Sequence, residues 1–188
     1  PALDRAGNGN NLTLNAVTPV NGKYGKEMLF NGSTSFAQAS SPVIGTTGTI
    51  AVRFKINSYP PSGVSVLFGN TSNTTLNGVR LRITTMTGDT SLFIGGSSTY
   101  QEVPIGTLAI GIWHSLIIST SGTLVSVCLN SSCTSITQTV QMVSSTTNLV
   151  IGREPFSTDS PFNGIISHFR YDSRIWTADE ARAWSLNP

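Results

Sequence analysis

Nine carboxylates are the first groups to test for chemistry in this 188-residue chain: Asp4, Glu27, Asp89, Glu102, Glu154, Asp159, Asp172, Asp179 and Glu180. Hydrolysis of a glycosidic bond needs two of them flanking that bond, about 5–5.5 Å apart for retention or 6.5–9.5 Å for inversion. On a strand, that requirement reads as acids at alternate positions, and no two of the nine stand so. The adjacent pair Asp179-Glu180 has a different account. Thr177-Ala178-Asp179-Glu180 fits a capping box, with Thr177 as cap and Glu180 reaching back to it. The histidines, His114 beside Trp113 and His168 beside Phe169, read as partly buried strand residues rather than as bases of a serine triad. There is no glycine-rich phosphate loop and no Cys/His metal motif. The chain reads as non-catalytic.

Binding chemistry is better represented. A sugar ring is held by an aromatic face together with planar polar side chains. Tyr59, Tyr100 and Phe156 fall in loop-like stretches, with Arg153 and Glu154 near them and Asn70, Asn73 and Asn77 in the same class of segment. Tyr59, Tyr100, Arg153 and Phe156 are the candidate ligand-binding residues. Trp113 and Trp176 read as core, and Trp184 as the residue that docks a terminal helix. Arg53, Lys55, Arg80 and Arg82 face outward on their strands. They suit an anionic glycan if those strands adjoin, and equally suit solvated charges that discourage edge pairing. Asp4, Asn8 and Asn10, in a glycine-punctuated loop, supply the oxygen ligands that calcium takes. The same residues also make an ordinary Asx-rich turn.

Cys128 and Cys133 frame a hairpin. A two-residue turn at Asn130-Ser131 pairs Leu129 with Ser132 and sets the two cysteines opposite each other at a non-hydrogen-bonded pair. Such pairs bring Cα atoms to about 4.5 Å, within disulfide range. A cross-strand disulfide implies an oxidising setting outside the cytosol; the alternative is two free thiols side by side.

These side chains must be positioned by strands. Thr49–Asn57 alternates strictly, with Ile50, Val52, Phe54 and Ile56 on one face and Ala51, Arg53 and Lys55 on the other. Val79–Ile83 repeats the pattern, and further strands are expected at Met28–Phe30, Ser65–Phe68, Ser91–Ile94, Trp113–Ser119, Leu124–Leu129, Leu149–Ile151 and Ile165–Tyr171. Turn signals separate them, among them Asn31-Gly32, Pro60-Pro61, Gly95-Gly96 and Ser121-Gly122. Short strands at regular spacing indicate a sandwich or barrel. One short helix, from Ala178 to Ser185, closes the chain and packs Ala181 and Trp184 on the sheets.

Composition agrees. Charged residues make up 11%, against about 25% in typical soluble proteins, and Ser, Thr, Asn and Gly fill the difference. A net charge of +2 without a Lys/Arg cluster gives nucleic-acid binding no support. No apolar run approaches the 18 or so residues of a membrane span. The length suits one domain over residues 1–188, and the absence of a starting Met suggests a piece of a larger protein.

Gly164 to Ala181 resembles the closing signature of laminin-G-like, concanavalin A-like lectin/glucanase domains: a Gly, a strand carrying Arg170 and Tyr171, then Thr177 opening a short helix with an acidic pair. Leu29-Phe30-Asn31-Gly32-Ser33 followed by Phe36 is similar to that family's early "F-x-G" strand, and Trp113-His114-Ser115-Leu116 to its "W-H-x-(V/L)" strand. Val125 to Ser131 resembles the next strand and its hairpin, and Asp4 to Asn11 the opening of bacterial and viral members. Ser131 replaces the usual hairpin Gly, Cys128 an aromatic, and Ser167 an acid that helps bind calcium in some relatives.

The resemblance implies a jelly-roll sandwich of about twelve to fourteen antiparallel strands with one C-terminal helix. It points toward calcium as a structural ion. It implies no single function, because this fold hosts lectins, glycosidases and adhesive domains. The expectation is a non-catalytic module that binds a glycan or cell-surface receptor, within an extracellular or virion-surface protein such as a phage tail or spike. The alternatives are an assembly module making protein–protein contacts and, third, a glycosidase.

Overall fold

A computed structural model describes residues 2, 9–22, 25–39, 44–84 and 86–188. Two seven-stranded antiparallel sheets pack face to face as a jelly-roll sandwich. The front sheet runs in the order β1 (Leu12–Asn15), β4 (Phe36–Ala39), β13 (Val150–Ile151), β6 (Val64–Gly69), β7 (Gly78–Thr84), β8 (Asp89–Gly96) and β9 (Thr99–Thr107). The back sheet runs β12 (Ser132–Thr137), β11 (Leu124–Leu129), β10 (Trp113–Ser121), β5 (Gly48–Ile56), β14 (Asn163–Asp172), β3 (Gly25–Asn31) and β2 (Thr18–Gly22). Helix α1 (Ala178–Leu186) ends the chain.

Alternation builds the core. The inward set of β5, Ile50, Val52, Phe54 and Ile56, meets Leu81, Ile83, Leu92 and Ile94 from the front sheet. Phe162 sits between them, edge-on to Phe30 and Phe54 at 6.1 and 6.3 Å between ring centroids. Such edge-to-face pairs add to the area they bury.

The outward set of β5 departs from a uniformly wet face. Ala51 is fully buried, because α1 covers this part of the back sheet. Ala51, Ile117, Cys128, Trp176 and Ala181 form a second apolar cluster, with Trp184 and Cys133 against it. The capping box starts α1 where the spacing predicts: the Thr177 hydroxyl accepts from the Glu180 amide, and Glu180 accepts from the Thr177 amide. Cys128 and Cys133 pair directly across β11 and β12 and are joined by a disulfide. The turn between them has Asn130 and Ser131 both at positive φ, as a type I′ hairpin requires.

Trp113 is not core. It lies half-buried on the outer face of the back sheet, with Arg53 and Lys55 at 5.4 and 5.6 Å from its ring. Its place in β10 puts it beside Lys55, on the outward side of β5. The expected turn at Gly95-Gly96 also moves. Both glycines belong to β8, and the turn falls at Ser97-Ser98, both at positive φ. Glycine is needed at 95 and 96 for close approach: a Cβ at Gly95 would lie 1.5 Å from the Leu76 carbonyl oxygen, and one at Gly96 2.2 Å from that of Gln141.

Candidate functional site

Among the described residues no helix lies on the front sheet's outer face, and the register sets its side chains in rows. One row runs from Thr13 and Gln38 through Val150 and Gly69 to Arg80, Phe93 and Glu102. Ala37 and Ala39 point into the core, so Phe36 and Gln38, which alternate with them, point out. Opposite them, Asn15 and Thr13 share that side.

Tyr100, Arg153 and Phe156 all come to this face. The Ser97-Ser98 turn returns the chain so that Tyr100 pairs with Gly95, two places along β8 from Phe93. Tyr100 stacks on Phe93 at 4.6 Å between centroids and an interplanar angle of 17°. Phe93 is only 2% exposed, while Tyr100, lying over it, is 53% exposed. The Arg80 guanidinium lies 4.2 Å from the Phe93 ring centre and 5.5 Å from that of Phe156, itself 41% exposed. Arg153 lies over Phe36, its guanidinium carbon 3.5 Å from the ring centre. Cations over rings in this geometry are attracted by the ring quadrupole.

The segment after β13 delivers Arg153, Glu154 and Phe156. It leaves the sheet at Gly152, whose amide bonds to the Leu67 carbonyl, and is tied back by Glu154 N–H to Asp159 C=O and by Phe162 N–H to Gly152 C=O. Glu154 forms an ion pair with Arg80, the two side chains being 8% and 13% exposed. Burial pushes the Glu154 carboxyl above its ordinary value even against the attraction of Arg80. Burial likewise pulls the Arg80 guanidinium down, against the attraction of Glu154. The pair is therefore desolvated more than it is repaid. Beside it, Arg82 pairs with Glu102, which also accepts from the Ser91 hydroxyl.

Tyr59 goes elsewhere. Its hydroxyl donates to the Leu108 carbonyl at 2.6 Å, and its ring forms part of the wall of a cleft of about 590 Å³ at one end of the sandwich. Pro60, Pro61, Asp159, Ser160 and Asn163 also line it. This cleft holds a single carboxylate, and the Asn163 amide is already donated to Ser58 at 2.8 Å.

Asn70 is fully buried, its Oδ1 accepting from the Val79 amide, and so cannot meet a ligand. Asn77 accepts from the Ser97 amide and holds the turn below Tyr100. Arg53 and Lys55 lie on the back sheet, Arg80 and Arg82 on the front, so the two pairs of cations do not adjoin. Of the calcium candidates, Asp4 and Asn8 lie outside the described residues, while Asn10 is half-buried ahead of β1. Among the described residues no group of three His, Cys, Asp or Glu gathers as metal ligands would. His114 is buried, with ring nitrogens near the Ala109 carbonyl and the Asn130 amide.

Phe36 and Phe93 were not among the expected site residues. Phe93 hides in the apolar run Ser91–Ile94, where only its pairing with outward-facing Arg80 reveals its side.

A two-sheet jelly roll with this closing strand and capped helix defines a concanavalin A-like domain. The chain belongs to the concanavalin A-like lectin/glucanase superfamily, whose sequence profile matches residues 31–182. Among solved structures it is similar to domain 4 of AbnA, an extracellular GH43 arabinanase from Geobacillus stearothermophilus, in complex with arabinotriose. The two share 20% identity over 97% of this chain and 91% of that one, with a TM-score of 0.80. It is also similar to the binding domain of botulinum neurotoxin serotype D, at 13% identity over 97% of this chain and 48% of that one, TM-score 0.78. A third likeness is to botulinum neurotoxin type C, which depends on two ganglioside molecules to enter cells; identity is 10% over 97% of this chain and 47% of that one, TM-score 0.76. The chain thus spans about half of each toxin structure. At these identities the likeness establishes the shared fold. No curated protein sequence matches the chain. No helix among the described residues is long and apolar enough to cross a membrane.

Proposed function

We propose that this chain is a non-catalytic carbohydrate-binding or receptor-binding module, and that the outer face of the front sheet is its platform. The observation that carries this reading is the half-exposed Tyr100 ring, held flat on Phe93 and continued across the face by Arg80 and Phe156. Exposed rings fixed by stacking offer C–H surfaces a partner with little entropy to lose, and the neighbouring guanidinium, amide and hydroxyl groups suit sugar hydroxyls.

The carboxylates support binding over hydrolysis. Glu154 is committed to Arg80, Glu102 to Arg82, and Asp172 to Trp176 and Arg174. Among the described residues neither the face nor the end cleft sets two free acids across a scissile bond. The arabinotriose bound to the arabinanase domain and the gangliosides required by the type C toxin favour a glycan as the ligand.

The Cys128–Cys133 disulfide favours an oxidising location, and with it an extracellular or virion-surface parent protein. Single-site binding on so open a face is shallow and gains strength through multivalency in the parent assembly. Calcium enters this proposal only as a structural ion at the loop of Asp4, Asn8 and Asn10.

A broad glycan array, run with calcium and again with chelator, tests the reading. Hits that persist on Tyr59→Ala and vanish on Tyr100→Ala support the platform. Hits lost only with chelator add calcium to it. A folded sample without hits in either buffer gives way to the protein–protein assembly reading.

A further inference from the structure

We infer that the ligand of this face is an anionic oligosaccharide whose carboxylate or sulfate is held by Arg153. The inference rests on the glycan-binding reading above and names the chemical class of its ligand.

The cations of the face differ in how far they are neutralised. Arg80 and Arg82 each have a carboxylate of their own, Glu154 and Glu102. Arg153 forms no ion pair among the described residues, although Glu154 is its neighbour in sequence. Among the described residues its Nε is buried without a hydrogen-bond partner, and its guanidinium is held over Phe36. A guanidinium so fixed presents the rest of its planar fork in one orientation. That fork matches the two oxygens of a carboxylate or sulfate, with charge-assisted bonds about twice as strong as neutral ones.

Its surroundings fit a sugar rather than a bare ion. Asn15 pairs opposite Phe36, and Gln38 and Thr13 follow on the same outward side. These are neutral amide and hydroxyl groups, so no acid on these strands competes for the guanidinium, and they can take ring hydroxyls.

The length of the face sets the size of the ligand. From Phe36 on β4 to Phe93 on β8 there are four strand spacings, through β13, β6 and β7. At about 4.8 Å each this is roughly 19 Å. Aromatic positions at both ends of such a span call for a chain of several sugars, with its charge at the Arg153 end and a ring on Tyr100.

Calorimetric titration with three probes tests this: an oligogalacturonate, its carboxyl-reduced neutral form, and a sulfated oligosaccharide of equal length. The expected result is that an anionic probe binds at least about tenfold more tightly than the neutral one, the worth of one charge-assisted hydrogen bond. Arg153→Gln should abolish that preference while the neutral probe still binds, and Arg153→Lys should keep part of it. Preference for the sulfated probe over the uronate assigns sulfate as the anion. Equal binding of anionic and neutral probes, or a preference that survives Arg153→Gln with the fold intact by thermal melt, overturns the inference and leaves glycan binding standing. If none of the three binds the folded wild-type chain, the glycan reading falls and this inference with it.

Discussion

The two outer faces of the sandwich are built to opposite ends. On the back sheet, α1 seals Ala51, Ile117 and Cys128 beneath Trp176 and Ala181. The carboxylates there serve the fold. The Trp176 indole N–H donates to Asp172 at 2.9 Å and, as the largest influence, holds its carboxyl below the ordinary value. The Arg174 guanidinium does the same for Glu180 at 2.8 Å. On the front sheet no helix among the described residues closes the face; the segment after β13 and the sheet's own side chains cover it in part. Tyr100 covers Phe93, and Glu154 is buried against Arg80 with its carboxyl raised. A fold selected for stability alone has little reason to desolvate an ion pair or leave rings half exposed, whereas a binding face does.

The sharpest way to separate the faces is Trp176→Ala. Removing a buried indole from under α1 should cost about 4 kcal/mol in urea unfolding, with glycan binding unchanged at temperatures where the variant is folded. A binding loss as large as the stability loss would break the comparison.

Next in size is the ion pair. Glu154→Ala strands Arg80 and should cost about 3 kcal/mol, while the double change Arg80→Met, Glu154→Met should come out close to neutral, since desolvation offsets the attraction in the pair. Equal losses in the single and double variants would mean that the pair contributes stability outright.

Smaller, and opposite in sign for Glu154 against Asp172 and Glu180, is the response to pH. Asp172 and Glu180 have folded values below their unfolded ones, so their stabilisation is complete above about pH 4 and is lost as pH falls through the folded values. Glu154 is raised, so its contribution is present below the ordinary Glu value and is lost as pH rises through the raised one. Urea midpoints measured from pH 3 to pH 7 should show Asp172→Asn flattening the acid limb. An acid limb unchanged in that variant contradicts the assignment.

Smallest in stability is Tyr100→Ala, about 1 kcal/mol for the lost stack on Phe93. Its binding loss should nevertheless be the largest of any single change on the front face.

Legibility in the sequence followed exposure to the core. β5, β7 and β11 stand within a residue or two of where alternation puts them, because each has one face buried. The capped helix was also legible, since Thr177 and Glu180 satisfy each other locally. The edge strands β1, β2 and β9 were not, and β12 only where the Cys128–Cys133 hairpin begins it. β9 holds Pro104 and Gly106, which weaken any strand pattern, yet an edge strand tolerates a proline that offers no N–H to a neighbour.

The residues of the candidate face could be picked only by type: Arg153, Phe156 and Tyr100, the last expected in a loop but standing in strand β9. Their convergence through Arg80 and Phe93, and the removal of Tyr59 to the end cleft, depend on register between strands far apart in sequence. Composition and periodicity do not carry that information.

The most direct test of the account is to follow backbone amide signals of the ¹⁵N-labelled chain by NMR during titration with an oligosaccharide hit from the array. Shifts concentrated at Gln38, Arg80, Tyr100, Arg153 and Phe156, saturating together, are the predicted result. Shifts confined to the end cleft around Tyr59 and Asn163, or to α1 on the opposite face, would contradict it.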